Sequence, residues 1–216
     1  MRASPVTLCA PDRRSAPVAM HSTARDVHPQ WRAWYEARAQ AVSALLDAER
    51  EPRSGPWKVR ENLILGNIFH AKDTRVLRRL GVTHVLNMAT ERTDTDLHFY
   101  SAPETSVVSF LRVPAYDTES FDLLSEVIPS CVSFIDEAIN QYPQGRVFVH
   151  CYAGVNRSVA VIVAYLMQIE RSNLIDAIED LWSKRGSRIL SNGSFQRQLV
   201  QFELALQLQQ SDQALS

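Results

Sequence analysis

Cys151 and Arg157 stand six positions apart, a spacing that can do chemistry because a thiolate is a strong nucleophile and a guanidinium is a planar clamp for tetrahedral anions. They lie in Val147-Phe148-Val149-His150-Cys151-Tyr152-Ala153-Gly154-Val155-Asn156-Arg157-Ser158, which reads as an apolar strand, a tight loop and the start of a helix. In open α/β sheets, ligands sit beyond the carboxyl ends of strands, where the next helix offers unpaired amides and the positive end of its dipole. A phosphate dianion suits that place. The same field favours the thiolate, since helix-terminus cysteines have pKa values of roughly 3.5 to 7.5 against about 8.5 for a free thiol. Arg157 can grip two equatorial oxygens at once, a geometry closed to Lys. Gly154 allows the left-handed backbone that turns successive amides inward, so Tyr152, Ala153, Gly154, Val155, Asn156 and Arg157 form the expected phosphate-binding loop. A bare Cys-x5-Arg spacing is weak evidence, arising by chance in roughly one such chain in four. His150 before it, Ser158 after it and the apolar strand upstream make an accident improbable.

The leaving group of a phosphomonoester is a poor one, so the chemistry also needs an acid on a segment that can close over the site. Val113-Pro114-Ala115-Tyr116-Asp117-Thr118 follows an expected strand and places Asp117 on a connector at the same end of the sheet, provided the strands are parallel. A turn or helix cap is the plain alternative for Asp117. Asp122 is the rival acid, but it fits better as the cap of a helix beginning at Leu123.

These residues need a scaffold, and the hydrophobic pattern supplies one. Residues 30–51 carry Trp31, Trp34, Tyr35, Ala41, Val42, Leu45 and Leu46 at helical spacing, with Arg38 as the single charged interruption. That stripe either packs onto the main domain or docks a partner or a second copy. Strands are expected over 62–65, 82–88, 107–113 and 146–149, and helices over 73–80, 123–140, 158–169, 173–184 and 194–207. The polar stretch 90–105 reads as a loop. Strands alternating with helices, then a run of helices, predict an α/β fold with a central, mostly parallel sheet flanked by helices and preceded by a helical extension. The organisation expected is a disordered tail over 1–27, a helix and linker over 28–55, and a catalytic domain over 56–210.

With 216 residues, 45% of them hydrophobic and 22% charged, the chain can build one ordinary core. A formal net charge of -1 gives no general pull toward nucleic acid. The longest apolar run, 159–167, is too short to span a bilayer. Cys9, Cys131 and Cys151 are scattered, which suggests neither a disulfide framework nor a metal site, and a reducing compartment fits best. Cys131 falls on the apolar face of its helix and reads as core filling. Arginines in the first 26 residues have the look of a transit peptide, but Pro5, Pro11 and Pro17 break any amphipathic helix there.

From about Trp57 to Gln207 the chain resembles the dual-specificity branch of the cysteine-based protein tyrosine phosphatases, and its small atypical members in particular. The likeness rests on the segment from His150 to Ser158, the acid loop around Asp117, the stretch from Leu65-Gly66 through Leu80-Gly81-Val82-Thr83-His84-Val85-Leu86-Asn87, and the tail Asn192-Gly193-Ser194-Phe195-Gln196-Arg197-Gln198-Leu199. The chain departs from the pattern at Ser158-Val159 and Leu190-Ser191-Asn192, both matters of packing. The resemblance implies a phosphocysteine on Cys151, a transition state steadied by Arg157, Asp117 as acid and then base, and Ser158 helping the thiolate leave. It also implies that His150 braces the loop and that Asn87 and Asn192 support the site without reacting. No cofactor or metal is called for. The loop interior carries no Lys or Arg, so a phosphorylated protein bearing phosphotyrosine, and phosphoserine or phosphothreonine as well, is favoured over a phosphoinositide. A lipid or phosphoglucan phosphatase of the same fold and a non-catalytic phospho-binding module are the alternatives. The expected setting is the cytoplasm, with the nucleus open, away from nucleic acid and membrane, as a monomer or weak dimer.

Overall fold

A computed structural model describes residues 29–48, 51, 53–91, 95, 97–100, 105–142 and 144–214. The expected tail over 1–27, with Cys9, lies outside them, as do Pro52 and parts of the 90–105 segment. The elements in order are α1 (Pro29–Leu46), β1 (Trp57–Arg60), β2 (Leu63–Gly66), α2 (Ile68–Lys72), α3 (Thr74–Arg79), β3 (His84–Asn87), α4 (Leu97–Tyr100), β4 (Ser109–Arg112), α5 (Leu123–Glu126), α6 (Ile128–Gln141), β5 (Val147–His150), α7 (Arg157–Gln168), α8 (Leu174–Arg185) and α9 (Gly193–Ala214).

The strands form one sheet in the order β1-β2-β5-β3-β4. Only the β1–β2 pair is antiparallel; β2–β5, β5–β3 and β3–β4 run parallel, as the alternation of strands and helices requires. The central strand β5 is buried at all four residues and sends alternate side chains to opposite faces. Val147 and Val149 join the large core beneath α6 and α7, whereas Phe148 enters a smaller cluster with Ile64, Leu77, Val85 and Tyr100 on the other face. Helix α7 is buried from Arg157 to Met167, which explains its apolar run: it lies within the protein and packs on α6, α8 and α9.

Register positions the site. Gly66, His150 and Asn87 are paired neighbours across β2, β5 and β3, and Asn87 pairs with Arg112 of β4. The segments that follow all four parallel strands therefore emerge at one end of the sheet.

Three differences from the expected elements have physical causes. The span 123–140 is two helices, α5 and α6, because Pro129 in the first turn of α6 has no N–H to continue a ladder from the preceding turn. Part of the stretch read as loop is the four-residue α4, whose Tyr100 is fully buried against Phe110 at a ring separation of 4.9 Å. Strand β1 was unread because Trp57 and Val59, set between Lys58 and Arg60, are too few apolar residues to stand out, and helix α2 because five residues carry too little helical periodicity. α2 is held by a reciprocal cap in which Asn67 Oδ1 accepts from the His70 amide at 3.0 Å and the Asn67 amide donates to His70 Nδ1 at 3.3 Å.

The helical extension is not free-standing. α1 packs on α9 and α8, with Tyr35 and Val42 buried and Trp31, Trp34, Leu45 and Leu46 partly covered. Arg38, the charged residue in its apolar stripe, reaches Glu203 of α9 with Nε and Nη2, both at 2.6 Å.

Candidate active site

The chain passes from His150, the last residue of β5, through a six-residue loop to Arg157, the first residue of α7. Gly154 takes φ +64°, the left-handed region predicted for it, and a side chain there would meet the Gly66 carbonyl oxygen at 2.6 Å. The loop is pinned from two sides: the Ile68 amide donates to the Tyr152 carbonyl at 3.1 Å, and the Leu190 amide donates to the Val155 carbonyl at 2.9 Å.

Cys151 keeps 1% of its surface, while Tyr152 and Ala153 beside it are exposed, so the sulfur lies at the base of the loop and its rim faces solvent. Ser158 Oγ donates to Cys151 Sγ at 3.2 Å, joining the two ends of the loop. The sulfur thus stands at the amino end of the 12-residue α7, where the helix dipole favours negative charge.

His150 is fully buried, with Nδ1 3.4 Å from the Cys151 carbonyl and its ring tilted against Phe148. Burial, with Arg157 adding to it, pushes its pKa down to about 4 against the pull of the Cys151 carbonyl bond. A neutral, fully buried imidazole at pH 7 suits a packed brace behind the loop.

Arg157 is 4% exposed, and one edge of its guanidinium is fully engaged. Nη1 donates to the Met88 carbonyl at 2.9 Å, the Ala115 carbonyl at 3.0 Å and the Glu91 carboxylate at 2.7 Å. Nε is buried and has no hydrogen-bond partner. That leaves a buried donor, on an arginine otherwise held by three acceptors, as the group able to engage an anion.

Asp117 lies on the exposed connector after β4, at the same end of the sheet as Cys151. Its carboxylate accepts from Asn156 Nδ2 at 3.0 and 3.1 Å and from Asn192 Nδ2 at 3.0 Å. Asn192 Oδ1 in turn accepts from the Ser194 and Phe195 amides, capping α9, and Asn156 Oδ1 accepts from Ser191 Oγ and the Asn192 amide. The rival Asp122 caps α5 through the Ser125 amide at 3.0 Å, as expected. Asn87 Oδ1 accepts from the Ala89 amide at 2.8 Å and shapes the turn that carries the Met88 carbonyl.

Residues 63–205, which contain every one of these side chains, match the family described as Dual specificity phosphatase, catalytic domain. The chain belongs to the dual-specificity phosphatase family. It is 39% identical over 144 residues to Dual specificity protein phosphatase 26 of Bos taurus, covering 67% of this chain and 65% of that protein's length. It is 37% identical over 140 residues to Dual specificity protein phosphatase 13B of Mus musculus, covering 64% of this chain and 67% of that one. The crystal structure of human DUSP28 superposes with a TM-score of 0.59 at 32% identity, over 71% of this chain and 99% of that one. The α/β sheet with helices on both faces is the architecture that membership in this dual-specificity phosphatase family implies.

Two residues of the site escaped the sequence reading. Glu91, on Arg157, sits in a stretch read only as polar loop, yet it follows β3 by four residues at the end of the sheet where Cys151 lies. Glu119, two residues beyond Asp117, accepts from the Gly193 amide at 3.1 Å and from Arg197 Nη2 at 2.8 Å. The parallel-sheet rule, applied to every segment that follows a strand, would have raised both. No cluster of metal-binding side chains occurs among the described residues, and no described helix is long and apolar enough to cross a membrane.

Proposed function

We propose that the chain hydrolyses phosphomonoesters on proteins through a phosphocysteine. The sulfur of Cys151 attacks phosphorus while the P–O bond to the substrate breaks and the departing oxygen takes the proton of Asp117. In the second step Asp117 takes a proton from water, the water oxygen bonds to phosphorus, the P–S bond breaks and the sulfur leaves accepting a hydrogen bond from Ser158. The loop amides of Tyr152, Ala153, Gly154, Val155 and Asn156 and the free Nε edge of Arg157 hold the equatorial oxygens through both steps. The observation that carries this reading is the 3.2 Å contact between Ser158 Oγ and Cys151 Sγ, which holds the nucleophile at a helix amino end with a proton donor to its leaving form.

Protein phosphomonoesters are the substrate class because the loop interior adds no cationic side chain to meet several phosphates. Phosphotyrosine, phosphoserine and phosphothreonine all fall within that class, and the curated relatives bear dual-specificity names. The reducing cytoplasm, which preserves a free thiol, is the compartment that suits it.

Alkylation tests the proposal directly. Iodoacetamide should label Cys151 in the native protein and orthovanadate should protect it. Cys131, fully buried with its thiol pushed up to about 12, should stay unlabelled. Cys151→Ser should abolish turnover of an aryl phosphate with the fold retained. Full activity in that variant, or release of phosphate from phosphoinositides in preference to phosphopeptides, would overturn the proposal.

A further inference from the structure

Asp117 is one of several residues of its loop that rest on a single helix end. From Asp117 to Leu124 the loop is bound by the first two turns of α9 at three points. Asn192, the cap of α9, holds Asp117. Gly193 and Arg197 hold the two carboxylate oxygens of Glu119. Gln198 donates through Nε2 to the Phe121 carbonyl at 2.8 Å and accepts through Oε1 from the Leu123 and Leu124 amides at 2.8 and 3.1 Å. The Gln198 bonds clamp the base of the loop by its backbone. The Glu119 bonds act near its tip and through a side chain.

The two anchors differ in strength. Glu119 and Arg197 are both more than half exposed, and such a pair is weak and screened by salt. Gln198, in contrast, ties partly buried backbone groups. A loop that must admit a phosphoprotein and then present its acid needs a firm base and a tip that releases easily. We infer that Glu119 and Arg197 form a reversible latch that positions Asp117 over Cys151, with α9 as the keeper. Glu119 touches neither substrate nor the reacting atoms and is a positioning residue. The inference rests on the reading of Asp117 as the acid.

The test compares two substrates whose phosphate is held alike and whose leaving groups differ: O-phosphotyrosine, which needs a proton, and 2,4-dinitrophenyl phosphate, which needs none. The readout is the ratio of their kcat/KM values, from which phosphate binding cancels. Glu119→Gln and Arg197→Met should each lower that ratio by about 2- to 5-fold, the scale of a weak exposed ion pair. The double variant should lower it no further than either alone. In the wild type the ratio should fall about 2-fold as sodium chloride is raised from roughly 0.05 to 0.5 M, and in Glu119→Gln it should stay level. An unchanged rate on the dinitrophenyl ester shows that the variants are folded with an intact cradle. If Asp117→Asn lowers the ratio while both latch variants keep the wild-type value, the latch is overturned and the acid assignment stands. If Asp117→Asn itself leaves the ratio unchanged, the acid assignment is overturned and the latch with it.

Discussion

Gly154 shows how little freedom a single residue has in this site. Its left-handed backbone turns the loop amides inward, and the Gly66 carbonyl oxygen fills the space where a Cβ would sit. Gly154→Ala incurs both a strained φ and a collision with backbone, which cannot rotate away as a side chain could. The expected loss is about 2 kcal/mol or more of stability, seen in urea denaturation, with at least about 10-fold slower turnover of an aryl phosphate. Arg157 is constrained in another way. Three acceptors orient Nη1, and Glu91 places a negative charge on a guanidinium that must also receive a phosphate. The carboxylate fixes the fork at one edge, leaving Nε for the substrate.

At the level of elements, α9 does more than close the core. Its amino end carries Asn192, Gly193, Arg197 and Gln198 onto the acid loop, while its middle carries Glu203 onto two other helices. Glu203, 4% exposed, accepts from the Leu174 amide at the start of α8 and from both Nε and Nη2 of Arg38 on α1. Arg38 Nη2 also reaches Asn173, the cap of α8, at 3.2 Å. Arg38→Ala removes two charge-assisted bonds from a buried carboxylate that retains only its amide donor. The expected cost is about 2 kcal/mol in denaturant unfolding, less than for a fully buried pair because Arg38 is partly solvated. Arg38→Lys should recover part of it, since an ammonium cannot span both oxygens in the same fork. The paired apolar and ionic contacts explain why an extension before the sheet folds onto this end of the molecule.

For the molecule as a whole, histidines that are buried or half-buried make stability fall in acid. Burial lowers the pKa of His150 to about 4 and depresses those of His84 and His70 as well. The unfolded chain protonates these rings below about pH 6.5, while the folded protein keeps His150 neutral down to about 4. Over that interval the unfolded state binds more protons, so stability is full above pH 6.5 and falls as pH drops toward 4. His150 alone accounts for on the order of 3 kcal/mol of that loss. Urea midpoints measured at pH 7.5, 6.0 and 5.0 should fall in that order, and His150→Gln should flatten the slope. A midpoint independent of pH over this range would contradict the burial of His150.

The segment from Val147 to Ser158 was legible in the sequence because its chemistry and its geometry are both local. A strand, a glycine-bearing loop and a helix within twelve residues place a thiol, an arginine and a ring of amides together wherever that segment folds. The parallel sheet was legible for a similar reason, since helical segments alternating with short apolar strands leave few other ways to bury both faces. The partners of Arg157 and Asp117 were decided only by tertiary structure. Met88, Glu91 and Ala115 lie 69, 66 and 42 positions from Arg157, and Asn192 lies 75 from Asp117. Pairings at that range carry no periodicity. They arise when four strands end in register and α9 folds back across the loops that leave them, so they are set by the packing of the core rather than by any pattern along the chain.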